Sequence, residues 1–173
     1  MNLMLLIIGV LLVVGLVLVI VQYKKLTRFK NKVEESWKRI EAQLKRRYNL
    51  LPGLIETVKP HAKHEKTVFD KIVTTQNQAI SAGNVMDQAF AENKLSQSIK
   101  FLFALSEDYP KLKKSEDFRK IQQELSDIED DIQLAQRHYN TTVQENNTNV
   151  EKIPGILIAG PLGFGRFDFF EVV

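Results

Sequence analysis

Residues 118–139 read FRKIQQELSDIEDDIQLAQRHY. Phe118, Ile121, Leu125, Ile128, Ile132, Ala135 and Tyr139 follow one another at alternating steps of three and four, the heptad seam of a helix packed along its whole length. A half-buried strand would need a period of two, which this stretch lacks, so it reads as helix. The same spacing recurs on both sides of it, and the fold class that follows is all-α.

Working outward, Leu26, Phe29, Val33, Trp37, Ile40, Leu44, Tyr48 and Leu51 mark one face of a first helix, expected to stop near Pro52-Gly53. Leu54, Val58, Ala62, Val68, Phe69, Ile72 and Ile80 mark a second, kinked at Pro60 and closed by Ser81-Ala82-Gly83-Asn84, with Gly83 as the left-handed cap. Val85, Ala89, Phe90, Ile99, Leu102, Phe103 and Leu105 mark a third that ends before Pro110, with an interruption allowed around Glu92–Lys94. Short connections make consecutive helices antiparallel neighbours, so the expected domain, residues 23–152, is an antiparallel up-down four-helix bundle.

Ahead of that domain, residues 3–21 read LMLLIIGVLLVVGLVLVIV, nineteen positions without a polar side chain. At 1.5 Å per residue they span roughly 28 Å, close to the hydrocarbon thickness of a bilayer. A cleaved signal peptide would need a basic n-region and small residues at its cleavage site, but nothing basic precedes Lys24 and no Ala precedes Ala42. Residues 1–22 are therefore expected to be an uncleaved single-pass anchor. Lys24, Lys25, Arg28, Lys30 and Lys32 follow it directly, so the positive-inside rule puts the N-terminus outside and the main domain in the cytoplasm, at the cell membrane.

Composition excludes several chemistries. The chain has no Cys, which removes disulfides, thiolate metal sites and cysteine nucleophiles. A formal charge of +3 is too small to argue for nucleic acid. Its distribution is uneven: residues 24–47 hold ten basic and three acidic side chains, while residues 116–131 hold seven acidic and two basic. These two faces read first as neighbours that pair or are solvated. A sharper reading gives Lys24, Lys25, Arg28 and Lys30 contact with anionic lipid headgroups, because only groups within a Debye length of roughly 8 Å can take part.

The run Trp37 to Glu65, WKRIEAQLKRRYNLLPGLIETVKPHAKHE, resembles the hallmark segment of the LemA family of bacterial membrane-anchored proteins. Gln43-Leu44-Lys45-Arg46-Arg47-Tyr48, Leu51-Pro52, Leu54-Ile55-Glu56-Thr57-Val58 and His64-Glu65 carry the likeness. Tyr139-Asn140, Val143, Pro154, Ala159, Gly163-Phe164 and Phe170-Glu171 extend it. The resemblance implies a short outer N-terminus, one span, a cytoplasmic helical bundle and no established enzymatic activity.

Few residues invite a chemical reading. His61, His64 and Glu65 form HxxHE on the expected second helix, but the zinc-protease patterns are HExxH and HxxEH, and the paired ExxH of di-iron bundles is missing. No metal or cofactor is expected. GPLGFG in the tail lacks the Lys-Ser or Lys-Thr of a phosphate-cradling loop. Asn140-Thr141-Thr142 and Asn146-Asn147-Thr148 read as polar helix surface. Trp37 and Tyr48 read as core, and Lys45-Arg46-Arg47 as a solvated face with partner docking as the functional alternative.

The last stretch, residues 153–173, reads IPGILIAGPLGFGRFDFFEVV and is rich in Gly and Phe. Pro154 and Pro161 forbid a continuous second span. So dense an apolar surface, including Phe164, Phe167, Phe169 and Phe170, must be covered. It can fold over the membrane-proximal end of the bundle, dip into the bilayer interface, or be held by a partner protein. In function, the chain reads as a non-enzymatic interaction or scaffold module whose partners are the bilayer and other membrane or envelope proteins. A sensor signalling through a continuous first helix is the alternative, and a metal-dependent hydrolase built on His61, His64 and Glu65 is a distant third.

Overall fold

The computed structural model describes residues 2–62 and 64–172. It is helical, with α1 over Asn2–Val58, α2 over Lys66–Ile80, α3 over Val85–Ser106, α4 over Pro110–Lys113, α5 over Glu116–Glu151 and α6 over Gly155–Ala159. No strand occurs among the described residues. The chain divides into two compact units, one of Met1–Ser36 with Thr141–Phe167 and one of Trp37–Asn140 with Asp168–Val173.

In the first unit, α1 is long and apolar enough to cross a membrane, and among the described residues nothing covers that part of it. Its large side chains from Leu3 to Val21 are 41–73% exposed. The helix does not break at Gln22 or Tyr23. Below them Leu26 and Val33 turn inward, as does Val143 of α5. Ser36 and Thr142 share a buried hydroxyl hydrogen bond of 2.8 Å, and Lys32 pairs with Glu145 at 3.4 Å.

The second unit contains the larger core, with Leu51, Leu54 and Val58 of α1, Ile72 of α2, Leu95 and Leu102 of α3, and Phe118 and Leu125 of α5. The helix expected to stop at Pro52-Gly53 runs on to Val58. Pro52 has no N–H to give the carbonyl four residues back, that of Tyr48. Gln76 of α2 supplies the missing donor, its Nε2 lying 3.3 Å from the Tyr48 oxygen. Leu51 and Leu54, both fully buried, anchor the helix on either side of the proline by packing.

The interruption falls later than expected. Turns at residues 59–61 and 64 follow α1, so α2 begins at Lys66 and is not a kinked continuation from Leu54. Gly83 is not the left-handed cap, since Gly163 is the one residue with positive φ among those described. The work at that corner is done by Asn84, whose side chain accepts the Asp87 N–H at 2.8 Å and caps α3. α3 runs unbroken through Glu92–Lys94, and Phe90, expected on its apolar face, is 63% exposed. α5 carries the heptad seam twelve residues past Tyr139, to Glu151. Ser115 and the acidic pair Glu116 and Asp117 suit its start, where free N–H groups and the helix dipole favour oxygen and negative charge.

Candidate functional site

Two groups of polar side chains in the second unit are buried and mutually bonded. One gathers around Arg47, expected with Lys45 and Arg46 as a solvated or docking triplet. That expectation fails for Arg47, whose side chain is 1% exposed. α1 turns it inward beside Leu44 and Leu51, three residues before and four after on the same face. One guanidinium nitrogen pairs with Glu92 of α3; the other donates to Ser96 and to Glu129 of α5, each at 2.8 Å. The Tyr48 hydroxyl donates to the other Glu92 oxygen.

Burial and the adjacent Glu92 carboxylate push the Tyr48 phenol well above its ordinary value. The Arg47 Nε makes no hydrogen bond. A cavity of about 230 Å³ opens beside the cluster, lined by Arg47, Ser96, Lys100, Gln122 and Glu129 among others. Lys45 is exposed, and Arg46 is half-exposed, reaching Asp131 at 3.2 Å and Gln43 at 2.8 Å.

The other group clasps an extended segment, residues 168–172, whose main chain is read by side chains. Tyr139 donates its hydroxyl to the Asp168 carbonyl at 2.9 Å. Asn140 bonds both the N–H and the carbonyl of Phe170, each at 2.9 Å. Gln136 accepts the Val172 N–H, and Asn93 donates to the Glu171 carbonyl. Phe170 is fully buried, edge-on to Trp37 at 5.4 Å, and Trp37 in turn lies 5.2 Å from Tyr139. Phe169 points outward.

Burial first, and then the Asp168 carboxylate, push the Tyr139 phenol up to about 12 from 10.0. A phenol whose folded pKa is raised stabilises the fold fully below its unfolded value and loses that contribution as pH climbs through the folded one. Tyr139, helped by Tyr48 with the same sign, should therefore make the melting temperature fall between pH 10 and 12. Circular dichroism melts at stepped pH would show this, with a shallower alkaline fall in Tyr139→Phe than in the parent. Equal slopes would refute it.

In the first unit the same chemistry recurs. Asn147 bonds both the N–H and the carbonyl of Phe167 at 2.9 Å, and Asn146 donates to the Gly165 carbonyl. Thr142, Asn146 and Asn147 are buried, which corrects their reading as polar helix surface. Phe164 and Phe167 are half-buried, Phe164 lying edge-on to Tyr23 at 5.6 Å. Lys24, Lys25 and Arg28 are exposed, and Lys30 pairs with Glu34 one turn on at 3.8 Å.

His61 and His64 lie in turns between α1 and α2, not on a helix, so they share no helix face as the hydrolase reading required; Lys63 between them lies outside the described residues. Among the described residues no three His, Cys, Asp or Glu side chains are grouped to hold a metal.

Sequence reasoning passed over Glu129 and gave Glu92 and the three asparagines no buried partner. The signal for Glu92 was its place three residues from Ala89 and from Leu95, inside an apolar register where a carboxylate needs a buried partner. The asparagines fall where the α5 seam continues past Tyr139, and polar residues on a seam imply polar company.

Residues 36–173 match the model of the LemA family. Magnetosome protein MamQ 1 and Magnetosome protein MamQ 2 of Paramagnetospirillum magneticum are each 21% identical to this chain, over 96% of it and 71% of their own length. Magnetosome protein MamQ of Magnetospirillum gryphiswaldense is also 21% identical, over 76% of this chain and 58% of its own.

Proposed function

The chain belongs to the LemA family, and on that premise we propose that it is a membrane-tethered, non-enzymatic module that binds other membrane or envelope proteins. One observation carries the reading. The exposed apolar segment Leu3–Val21 continues without a break into the helix that supplies Leu51, Leu54 and Val58 to the core, so membrane anchor and folded domain share a backbone. The family, the membrane-associated character and the all-helical build fit that role. The short connections between its helices favour the four-helix, up-down arrangement, and Arg47 of α1 reaching both α3 and α5 fits three of those helices packing together.

The basic side chains directly after the span set its direction, N-terminus outside and domain in the cytoplasm. Lys24, Lys25, Arg28 and Lys30 face the headgroups. Partner proteins meet exposed apolar side chains on α2 and α3, Val73 and Ile80 on one and Met86, Phe90 and Phe101 on the other, with Lys45 and Arg46 as exposed cations on α1. The ionisable groups of the interior are already engaged with one another, which favours binding over catalysis.

A photo-crosslinking residue in place of Phe101 in the full chain, irradiated in intact cells, should give a reproducible adduct with a membrane or envelope protein, and one in place of Glu124 should not. Equal labelling at both positions, or none at either Phe90 or Phe101, would overturn the reading. The unbroken passage through Gln22 and Tyr23 favours a second role, a sensor that passes rotation or piston motion along α1.

A further inference from the structure

The geometry points to a second membrane contact: α6 and the residues around it lie in the bilayer interface beside the inner end of the span, with Ile153, Ile156, Leu157 and Leu162 inserted among the lipids. The inference rests on the membrane-tethered reading above and adds a site to it.

The placement follows from the first unit alone. Ser36 meets Thr142 and Lys32 meets Glu145, so a step down α1 is matched by a step up α5. Continued in that register to the end of α5, Glu151 stands opposite Leu26. An independent contact agrees, since Phe164 packs edge-on against Tyr23 and its N–H bonds the Ala159 carbonyl at the end of α6 at 2.9 Å. Tyr23 is two residues past Val21, roughly 3 Å along the helix axis from the last apolar position of the span. The headgroup region beyond the hydrocarbon is about 5–8 Å deep on each side, so α6 sits at its level.

The side chains are arranged for that place. α6 buries Gly155 and Ala159 on one face. Gly155 lies so close to α5 that a Cβ there would overlap the Asn149 carbonyl oxygen, which fixes the orientation of the short helix. The opposite side presents Ile156 at 55% and Leu157 at 71% exposure, preceded by Ile153 at 80%. Water is a poor environment for three neighbouring aliphatic side chains, and moving them into an apolar phase is favourable in proportion to the area they remove from water. Lys152 is exposed beside this apolar group, as are Lys24 and Lys25 on α1, while Arg166 on its other side is exposed and paired with Glu151 at 2.6 Å. Aliphatic insertion flanked by cations is the pattern of an interfacial anchor on an anionic surface.

The chain has no cysteine, so Leu157→Cys, Val13→Cys and Glu124→Cys each create a single labelling site in the full-length protein. Each carries an environment-sensitive fluorophore and is reconstituted in vesicles of equal parts phosphatidylcholine and phosphatidylglycerol, with and without a mixture of lipids bearing a nitroxide near the headgroup end or near the methyl end of the acyl chain. Position 157 should lose most of its fluorescence to the nitroxide, position 13 should be quenched as a residue of the span, and position 124 should be unaffected. Quenching at 13 with none at 157 or at a label replacing Ile156 would overturn the interfacial site and leave the tether standing. No quenching at 13 would overturn the tether itself, and the inference with it.

Discussion

Replacing Arg47 with Met should lower the unfolding free energy by about 3–5 kcal/mol, the cost of leaving a buried charge without its partner. The guanidinium is 1% exposed and Glu92 is fully buried, so neither side of the pair can turn to water when the other is removed. Glu129, at 21% exposure, can recover some solvent, but Ser96 loses its buried donor as well. Tyr48 still donates to Glu92 in the variant, which limits the loss without neutralising the carboxylate.

The companion variant separates net charge pairing from packing. Arg47→Met combined with Glu92→Met replaces the buried pair by aliphatic volume and should regain most of the lost stability, since apolar substitutes for a buried ion pair are often neutral or better. Thermal melts of both variants in detergent micelles give the comparison. A single substitution costing under about 1 kcal/mol would mean that the cluster is solvated.

Phe170→Ala should cost a similar amount, about 3–5 kcal/mol, as expected for emptying a fully enclosed aromatic site. The ring is held edge-on against Trp37, and both polar groups of its own peptide unit are taken by Asn140. Trp37 is the single tryptophan of the chain, so its emission should shift to the red as its neighbour disappears. Asn140→Ala should produce a smaller loss, and the double variant should fall short of the sum, because the side-chain anchor and the main-chain clasp hold one residue. Strict additivity, or unchanged Trp37 emission in Phe170→Ala, would show that the segment does not depend on this contact.

Both sites show how far a sequence can be read. The heptad seam of residues 118–139 identified α5 because periodicity is a property of one segment and needs no partner to be seen. The stop expected at Pro52 failed for the converse reason. Proline does orphan the Tyr48 carbonyl, but the donor that rescues it is Gln76, twenty-eight residues away on another helix. Arg47 was read from its neighbours Lys45 and Arg46 as one of an exposed triplet, although consecutive helical residues point in different directions. Asn140, Asn146 and Asn147 looked like surface because what they bind is main chain, and main chain has the same hydrogen-bonding groups under every side chain.

By itself the sequence determined that the chain is helical, that Leu3–Val21 is a membrane-length apolar segment, and where the seam of α5 lies. Those are facts of composition and local period, set by transfer of apolar groups from water and by the 3.6-residue turn. Only the tertiary structure decided that α1 crosses Pro52, that Arg47 joins Glu92 and Glu129, that asparagines clasp the tail, and that Phe164, bonded to the end of α6, packs against Tyr23. Each of those depends on which distant group satisfies a buried polar atom or covers an apolar one, and neither spacing nor composition carries that information.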